Sequence, residues 1–126
     1  MVTMKPKRIP EDLQRLLPLT PAVFFVLFSL ADGQKHGYAI MQETVALSNG
    51  EVRMGPGTLY TTLQRVLDLG LIEEVAASGV AGQNDSRRRY YRLTGNGKLL
   101  LEAELSRMDS VVRLARRKKL ALRPAE

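Results

Sequence analysis

The sequence predicts a mainly α-helical protein with one small β-hairpin, an α+β fold. Apolar residues recur at helical spacing in several segments. Two runs rich in β-forming residues, 71–76 and 88–93, flank a loop of small and polar residues. The length of 126 residues suits one domain. We divide it into a flexible N-terminus (1–9), a folded unit (10–94) and a C-terminal helix (95–126).

The first two predicted helices carry clear start and stop signals. Pro10 opens a short helix that has acidic residues in its first turn and ends before Pro18. Thr20 and Pro21 form an N-cap and first-turn pair that opens a helix to about Leu30. This helix is apolar nearly all round, which predicts the buried centre of the fold. Its apolar run of ten residues, 22–31, is too short to span a bilayer.

Two further helices follow a predicted turn at 32–35. The first runs from His36 to Leu47 and stops before a Ser-Asn-Gly breaker; residues 51–53 then form a very short strand or an extended link. The second covers 55–69, with Gly55 at its N-cap, Pro56 in its first turn and Gly70 at its C-cap.

The helix at 55–69 has two unlike faces. Leu59, Leu63, Val66 and Leu67 form one apolar stripe. The opposite face carries Thr58, Thr61, Gln64 and Arg65, side chains of the kind that reach base edges and phosphates. A core helix needs only the stripe, so the polar face is what indicates a function.

The two β runs form a long hairpin rather than a tight one, because the loop between them lacks a two-residue turn signal. Alternation places Tyr91 and Leu93 on the buried face and leaves Arg88 and Arg92 exposed. Arg87 and Arg88 stand at the neck of the hairpin, where they are placed to reach phosphates or the minor groove.

The last helix is predicted from its cap at Thr94 to about Leu122. A seam at alternating spacings of four and three is typical of a helix that packs along another helix; its members are Leu101, Leu105, Met108, Val112 and Ala115. The seam is longer than the small folded unit can cover, which favours dimerisation. The alternative is packing back on the helix that contains Phe24 and Phe28.

Composition excludes several function classes. The chain has no Cys and one His, so it lacks a disulfide framework, thiol chemistry and His-rich metal sites, and a reducing cytoplasm is the expected compartment. No nucleophile or acid–base constellation is present, so we expect no enzyme, no cofactor and no metal.

The net charge of +6 is unevenly distributed along the chain. Residues 1–86 hold seven basic and nine acidic residues, whereas residues 87–126 hold twelve basic and four acidic ones. A basic half suits a polyanionic partner, although a solvated helix face explains the same pattern.

Counted from the helix that begins at Thr20, three helices followed by a hairpin is the order of a winged helix-turn-helix. The third of these, at 55–69, would enter the major groove of double-stranded DNA. The chain also resembles the PadR family of transcriptional regulators. The matching segments are Leu19-Thr20-Pro21, His36-Gly37-Tyr38-Ala39-Ile40, Gly55-Pro56-Gly57-Thr58-Leu59-Tyr60, Gly70-Leu71-Ile72 and Arg88-Arg89-Tyr90-Tyr91-Arg92-Leu93-Thr94. The resemblance implies a homodimeric repressor that pairs through its C-terminal helix, with no metal or catalytic centre. The single C-terminal helix is similar to that of the family's shorter members.

The resemblance places Thr58, Tyr60, Thr61 and Gln64 on DNA. Further candidates are suggested only by their place in the predicted fold. The complete candidate DNA-binding set is Tyr38, Arg53, Gly57, Thr58, Tyr60, Thr61, Gln64, Arg87 and Arg88. Tyr38 and Tyr60 are alternatively packing residues, and Gln64 is alternatively a solvated side chain. His36 is expected to be a turn or capping residue. The basic run 113–119 is a solvated helix end or a further DNA contact.

The leading hypothesis is a repressor that binds an inverted-repeat operator as a homodimer. A second hypothesis adds a small-molecule effector at the dimer interface, with Phe24, Phe25 or Phe28 as its stacking platform. A third is a winged-helix module that binds another protein and not DNA.

Overall fold

The computed structural model describes residues 9–76 and 89–123. The predicted flexible N-terminus lies outside them except for Ile9, which packs partly against the core. Within these described residues, five helices and three strands follow in chain order: α1 (Glu11–Gln14), α2 (Pro21–Ser29), β1 (Lys35–His36), α3 (Gly37–Leu47), α4 (Pro56–Asp68), β2 (Ile72–Val75), β3 (Tyr90–Leu93) and α5 (Gly95–Arg117). The predicted fold class, mainly α with a small sheet, is confirmed.

Side-chain caps begin three of the helices. The Thr20 hydroxyl accepts the Val23 N–H at the start of α2, and the Thr94 hydroxyl accepts the Gly97 N–H at the start of α5. His36 Nδ1 accepts the Ala39 N–H at the start of α3, at 3.2 Å. Each bond satisfies one of the backbone donors that a helix start leaves unpaired.

Left-handed residues end α4 and α5. Gly70 adopts φ +73° directly after α4, as the sequence predicts. Lys119 adopts φ +61° after α5, and the Leu120 N–H donates back to the Ala115 carbonyl. The predicted end of α5 near Leu122 is therefore wrong by about one turn, because a non-glycine residue closes the helix where the sequence shows no stop signal.

The sheet has three antiparallel strands in the order β1-β3-β2, not the predicted two. Lys35 and His36, expected at the end of a turn and the start of a helix, pair with Tyr91 and Tyr90. Two residues are too few to show alternation, so the sequence could not reveal this strand. β1 ties the start of α3 to the hairpin, which we call the wing (β2, β3 and the residues between them).

The core lies between α2 and the elements around it. α2 packs against α3, α4 and α5, and Val26 and Leu27 are fully buried. This placement confirms that the apolar run at 22–31 is the centre of the fold. Leu59, Leu63 and Val66 bring the apolar stripe of α4 into the same core. Burial of this stripe fixes which side of α4 faces outward.

A compact junction, formed by Gly70, Leu71, Thr94 and Gly97, joins α4, the wing and α5. The Thr94 hydroxyl donates to the Gly70 carbonyl at 2.6 Å, and the Thr94 N–H donates to the Leu71 carbonyl at 3.1 Å. Gly97 lies so close that a Cβ at this position would stand 1.9 Å from the Leu71 carbonyl oxygen. No other residue type fits there without backbone movement.

A buried carboxylate secures α5 about two turns beyond Gly97. Glu104 is fully buried, and its carboxylate accepts the Leu19 N–H at 2.6 Å and the Arg107 Nε–H at 2.5 Å. Burial raises the pKa of Glu104, but the bonds from Arg107 and Leu19 outweigh burial and leave its pKa below the ordinary value. The charged form therefore stabilises the contact between α5 and the segment before α2.

We predict that Gly97→Ala lowers the free energy of unfolding by about 3 kcal/mol, the upper end for overpacking at a rigid site. The new methyl group would overlap the Leu71 carbonyl, which is backbone and cannot rotate away. Gly95→Ala is the matched control in the same helical turn, because nothing lies within 4 Å of its Cβ position. The control should leave stability unchanged or raise it by about 0.5 kcal/mol. Urea unfolding measures both, and equal midpoints for the two variants would refute the tight junction.

We predict that Glu104→Gln lowers the free energy of unfolding at neutral pH by roughly 1–3 kcal/mol, because the amide cannot accept both donors as a carboxylate does. Since the folded-state pKa of Glu104 is lowered, its contribution is present above the unfolded-state pKa and is lost as the pH falls through the folded-state pKa. The gap between wild type and variant should therefore begin to narrow near the ordinary glutamate pKa of about 4.3 and close only below the lowered folded-state pKa. Urea unfolding across pH measures the gap, and a gap independent of pH would contradict this role.

Candidate nucleic-acid interface

The outward side of α4 is a continuous polar surface. The outward residues Gly57, Thr58, Tyr60, Thr61 and Gln64 are all exposed, while the opposite side is buried. The structure therefore brings together the five candidates that the sequence places on this helix. Gly57 adds no bulk, and nothing lies within 4 Å of its Cβ position, so another surface can approach the backbone here.

Two of these side chains make bonds within the helix. The Thr61 hydroxyl donates to the Gly57 carbonyl at 2.9 Å, and Gln64 Nε2 donates to Asp68 Oδ1 at 2.8 Å. Asp68 was not a sequence candidate. Its spacing of four residues from Gln64, which puts both side chains on one side of a helix, is the signal that could have found it.

The start of α3 lies beside the first turn of α4. Tyr60 is 53% exposed, and its hydroxyl lies 3.0 Å from the position that a Cβ at Gly37 would occupy. Tyr38, in the first turn of α3, is 59% exposed. The two tyrosines thus offer accessible rings beside a helix N-terminus, where backbone N–H groups and the helix dipole favour an anion.

Arg53 lies in the segment between α3 and α4 and is exposed. Its guanidinium lies over Gly50, at 3.3 Å from the position of an added Cβ. Gly50 has φ +81°, so a side chain there would be strained as well as crowded. The tight turn therefore leaves room for the arginine at the entrance of α4.

The wing carries charge that is already paired on the described strands. Arg92 lies opposite Glu73 in the register and contacts its carboxylate at 2.5 Å. Arg89 and Glu74 form a looser pair at 3.6 Å. Arg87 and Arg88, the predicted contacts at the neck of the wing, lie outside the described residues. Tyr91 is buried and Arg92 is exposed, as alternation predicts.

His36 links α3 to the wing. Besides capping α3, its ring meets that of Tyr90 edge-on, with centroids 5.5 Å apart. This geometry matches the expected capping role. Within residues 9–76 and 89–123, no group of three His, Cys, Asp or Glu side chains could hold a metal ion.

The predicted dimer seam divides along α5. Leu101 is 3% exposed and belongs to the protomer's own core, so it has little surface to offer a second copy. Leu105 and Met108 are partly buried against that core, whereas Val112 is exposed. The physical reason is the length of α5. The core elements cover its first half, and its second half extends beyond them.

Beyond Met108 the apolar side of α5 is uncovered. Val111 is 53% exposed and Leu114 is 54% exposed. Ala115, the last seam residue, is of intermediate exposure. The two exposed residues both lie next to seam residues, since Val111 precedes Val112 and Leu114 precedes Ala115.

A groove of about 500 Å³ lies between the end of α2, the end of β3 and the first half of α5. Phe28, Leu101 and Leu105 supply apolar lining, and Lys98 and Glu102 supply charged groups.

No described helix is long and apolar enough to cross a membrane.

The comparison with known proteins agrees with this architecture. Residues 26–103 match the model of the transcriptional regulator PadR-like family. The chain is 34% identical over 90 residues to Transcriptional regulator Rv3488 of Mycobacterium tuberculosis, which covers 70% of this chain and 76% of that protein. The chain is also 38% identical over 87 residues to an uncharacterized 37.1 kDa protein in transposon TN4556 of Streptomyces fradiae. The match covers 69% of this chain but only 23% of that protein.

Solved structures share the fold. A PadR family transcription regulator from Clostridium difficile R20291 superposes with a TM-score of 0.64 at 22% identity, covering 80% of this chain and 100% of that one. A mutant MarR from E. coli superposes with a TM-score of 0.65 at 22% identity, covering 87% and 72%.

The helix order, the wing and these likenesses define a winged-helix transcription regulator. Within that class the chain belongs to the PadR-like family of transcriptional regulators, proteins that regulate transcription by binding DNA. The resemblance found in the sequence motifs is confirmed.

Proposed function

We propose that this protein is a homodimeric repressor that binds an inverted-repeat operator through α4 and the wing. The main support for DNA binding is the outward side of α4, where exposed polar groups cover a helix whose other side is buried. In a winged helix-turn-helix this helix enters the major groove, and its side chains face base edges. Residues 10–94 then act as the DNA-binding unit.

The roles within the surface follow from chemistry. Thr58, Thr61 and Gln64 face bases, since short polar and amide side chains match base-edge donors and acceptors. Gly57 lets the helix backbone come close to the DNA. Tyr38 and Tyr60 face the sugar–phosphate backbone near the start of α3. The described candidate with a full positive charge is Arg53, and we propose a phosphate contact for it. For Arg87 and Arg88 we propose contacts to phosphates or the minor groove from the neck of the wing.

The C-terminal helix, residues 95–126 in the predicted division, is the proposed dimer element, and the second half of α5 supplies its contact. Its uncovered apolar side would stay in water in a lone protomer, at a cost of about 25 cal/mol for each Å² that a partner would bury. Met108, Val112 and Ala115 supply this contact, with Leu105 at the edge of the body. A pair of protomers related by twofold symmetry presents two copies of α4, which matches an inverted repeat.

The groove beside α5 supports a small-molecule effector that relieves repression. Its volume of about 500 Å³ falls in the range of ligand pockets, and its apolar lining with a few charged groups fits a mainly apolar small molecule. Phe28, one of the proposed stacking residues, lines it. Because Leu105 belongs both to the groove and to the predicted seam, a bound ligand would change the packing of α5.

We predict that the protein selects one family of sequences from a randomised DNA duplex library. We also predict that fluorescence anisotropy shows the affinity for the selected duplex falling steeply between about 50 and 200 mM salt. Arg53→Ala should weaken binding to all sequences alike and lower the salt slope by about one. The cause is the loss of one phosphate contact, which carries no sequence information.

Arg15→Ala is the control for loss of charge, because Arg15 is an exposed residue at the end of α1 and belongs neither to the proposed DNA-binding set nor to the proposed dimer element. It should change affinity far less than Arg53→Ala. Equal binding to selected and scrambled duplexes would contradict the proposal and favour a module whose partner is another protein.

A further inference from the structure

The outward side of α4 contains a row of four exposed residues. Gly57, Thr61, Gln64 and Asp68 follow one another at spacings of four, three and four, so they lie on one side of the helix. Arg65, the cation of α4, is rotated by roughly 100° from Gln64 and flanks this outer row. What the row offers to a base depends on which of its donors are already used.

Thr61 has no donor left for a base. Its hydroxyl contacts the Gly57 carbonyl at 2.9 Å, and a carbonyl can only accept, so the hydroxyl proton points into the helix. Toward solvent, Thr61 therefore presents an acceptor oxygen and a methyl group.

The amide of Gln64 has one orientation for the same reason. Asp68 Oδ1 lies 2.8 Å from the Gln64 nitrogen, and an ionised carboxylate can only accept. The NH₂ group must face Asp68, toward the C-terminal end of α4. One N–H and the carbonyl oxygen Oε1 remain for a base, in a fixed order along the helix.

This arrangement distinguishes the purines. Adenine presents an N6 donor and an N7 acceptor in the major groove, whereas guanine presents acceptors at both O6 and N7. The fixed amide can accept from adenine N6 and donate to N7. Against guanine, its Oε1 would face O6, acceptor against acceptor, and the neighbouring carboxylate of Asp68 offers no donor instead.

We propose that Asp68 is a positioning residue for sequence specificity: by holding the Gln64 amide it makes the protein prefer adenine to guanine at the base that Gln64 faces. This inference rests on the proposed DNA binding. Without Asp68 the amide can rotate and present both N–H groups to guanine, so specificity relaxes at one position only.

Two variants separate orientation from charge. Asp68→Ala removes the acceptor. Asp68→Asn removes the charge but keeps an amide oxygen that can accept the same bond from Gln64. The probes are a duplex selected by the wild type from a randomised library and its full set of single-base-pair substitutions, with affinities measured by anisotropy at one salt concentration.

The wild type should prefer adenine to guanine by roughly tenfold or more at one position, as expected for a bidentate contact. Asp68→Ala should reduce that ratio to about threefold or less and leave the ratios at other positions unchanged. Asp68→Asn should give a ratio between those of the wild type and Asp68→Ala, because its amide can accept from Gln64 Nε2 but can also donate to Oε1 of a flipped Gln64. Gln64→Ala should abolish the preference at the same position. Both Asp68 variants change an exposed side chain, and circular dichroism checks that they remain folded.

The possible failures are distinguishable. If Asp68→Ala and Asp68→Asn both tighten binding equally to every sequence, the carboxylate acts through charge alone and the inference is wrong, while DNA binding stands. If the preferred base at the Gln64-dependent position is guanine, the inference is also wrong. If the wild type selects no sequence, the proposed function fails and the inference fails with it.

Discussion

The bonding at Thr94 is the constraint on which the rest of the structure depends. Its side chain caps α5 and reaches Gly70 at the end of α4, while its N–H holds Leu71 at the start of the wing. One residue thus fixes the relative positions of three elements. The close approach of Gly97 to the Leu71 carbonyl makes this junction a rigid contact between backbones rather than a contact between adjustable side chains.

Rigidity at the junction matters because α4, which carries the proposed DNA-binding surface, is joined to the start of α5, whereas the proposed dimer contact lies on its second half. The first half of α5 is part of the core, and Glu104 adds a buried, charge-assisted bond to the segment before α2. The second half extends beyond the body with its apolar side uncovered. A second copy that packs there would therefore set the distance and angle between two α4 helices through contacts that cannot easily deform.

The sequence predicted the elements whose signals are local. Gly55, Pro56 and Gly70 mark α4, and its apolar stripe identifies the buried side, so the outward residues of the candidate surface follow directly. The apolar run of α2 likewise predicts the core. Features that depend on distant partners were not predictable. β1 exists only because Tyr90 and Tyr91 pair with it. Helical spacing puts Glu104 on the same side of α5 as Leu100 and Leu101, but it does not reveal that the Leu19 N–H donates to it.

The seam shows the same limit within one helix. Periodicity cannot tell Leu101, which packs inside the protomer, from Val112, which does not, because both obey the same spacing. The bond between Gln64 and Asp68 was within reach of a spacing argument, but its consequence required the observed orientation of the amide. Arg87 and Arg88 remain predictions from position alone.

The most direct test of a dimeric DNA-binding regulator moves its two half-sites apart. Anisotropy is measured on the selected operator and on a duplex with about 5 additional base pairs, half a helical turn, between the half-sites. A rigid wild-type dimer should bind the altered duplex only as tightly as it binds a single half-site. The variant Val112→Glu places a charge on the uncovered side of α5, and it should bind both duplexes with that same weaker affinity. Wild-type affinity that does not change with spacing would mean that protomers bind independently, and would contradict the account.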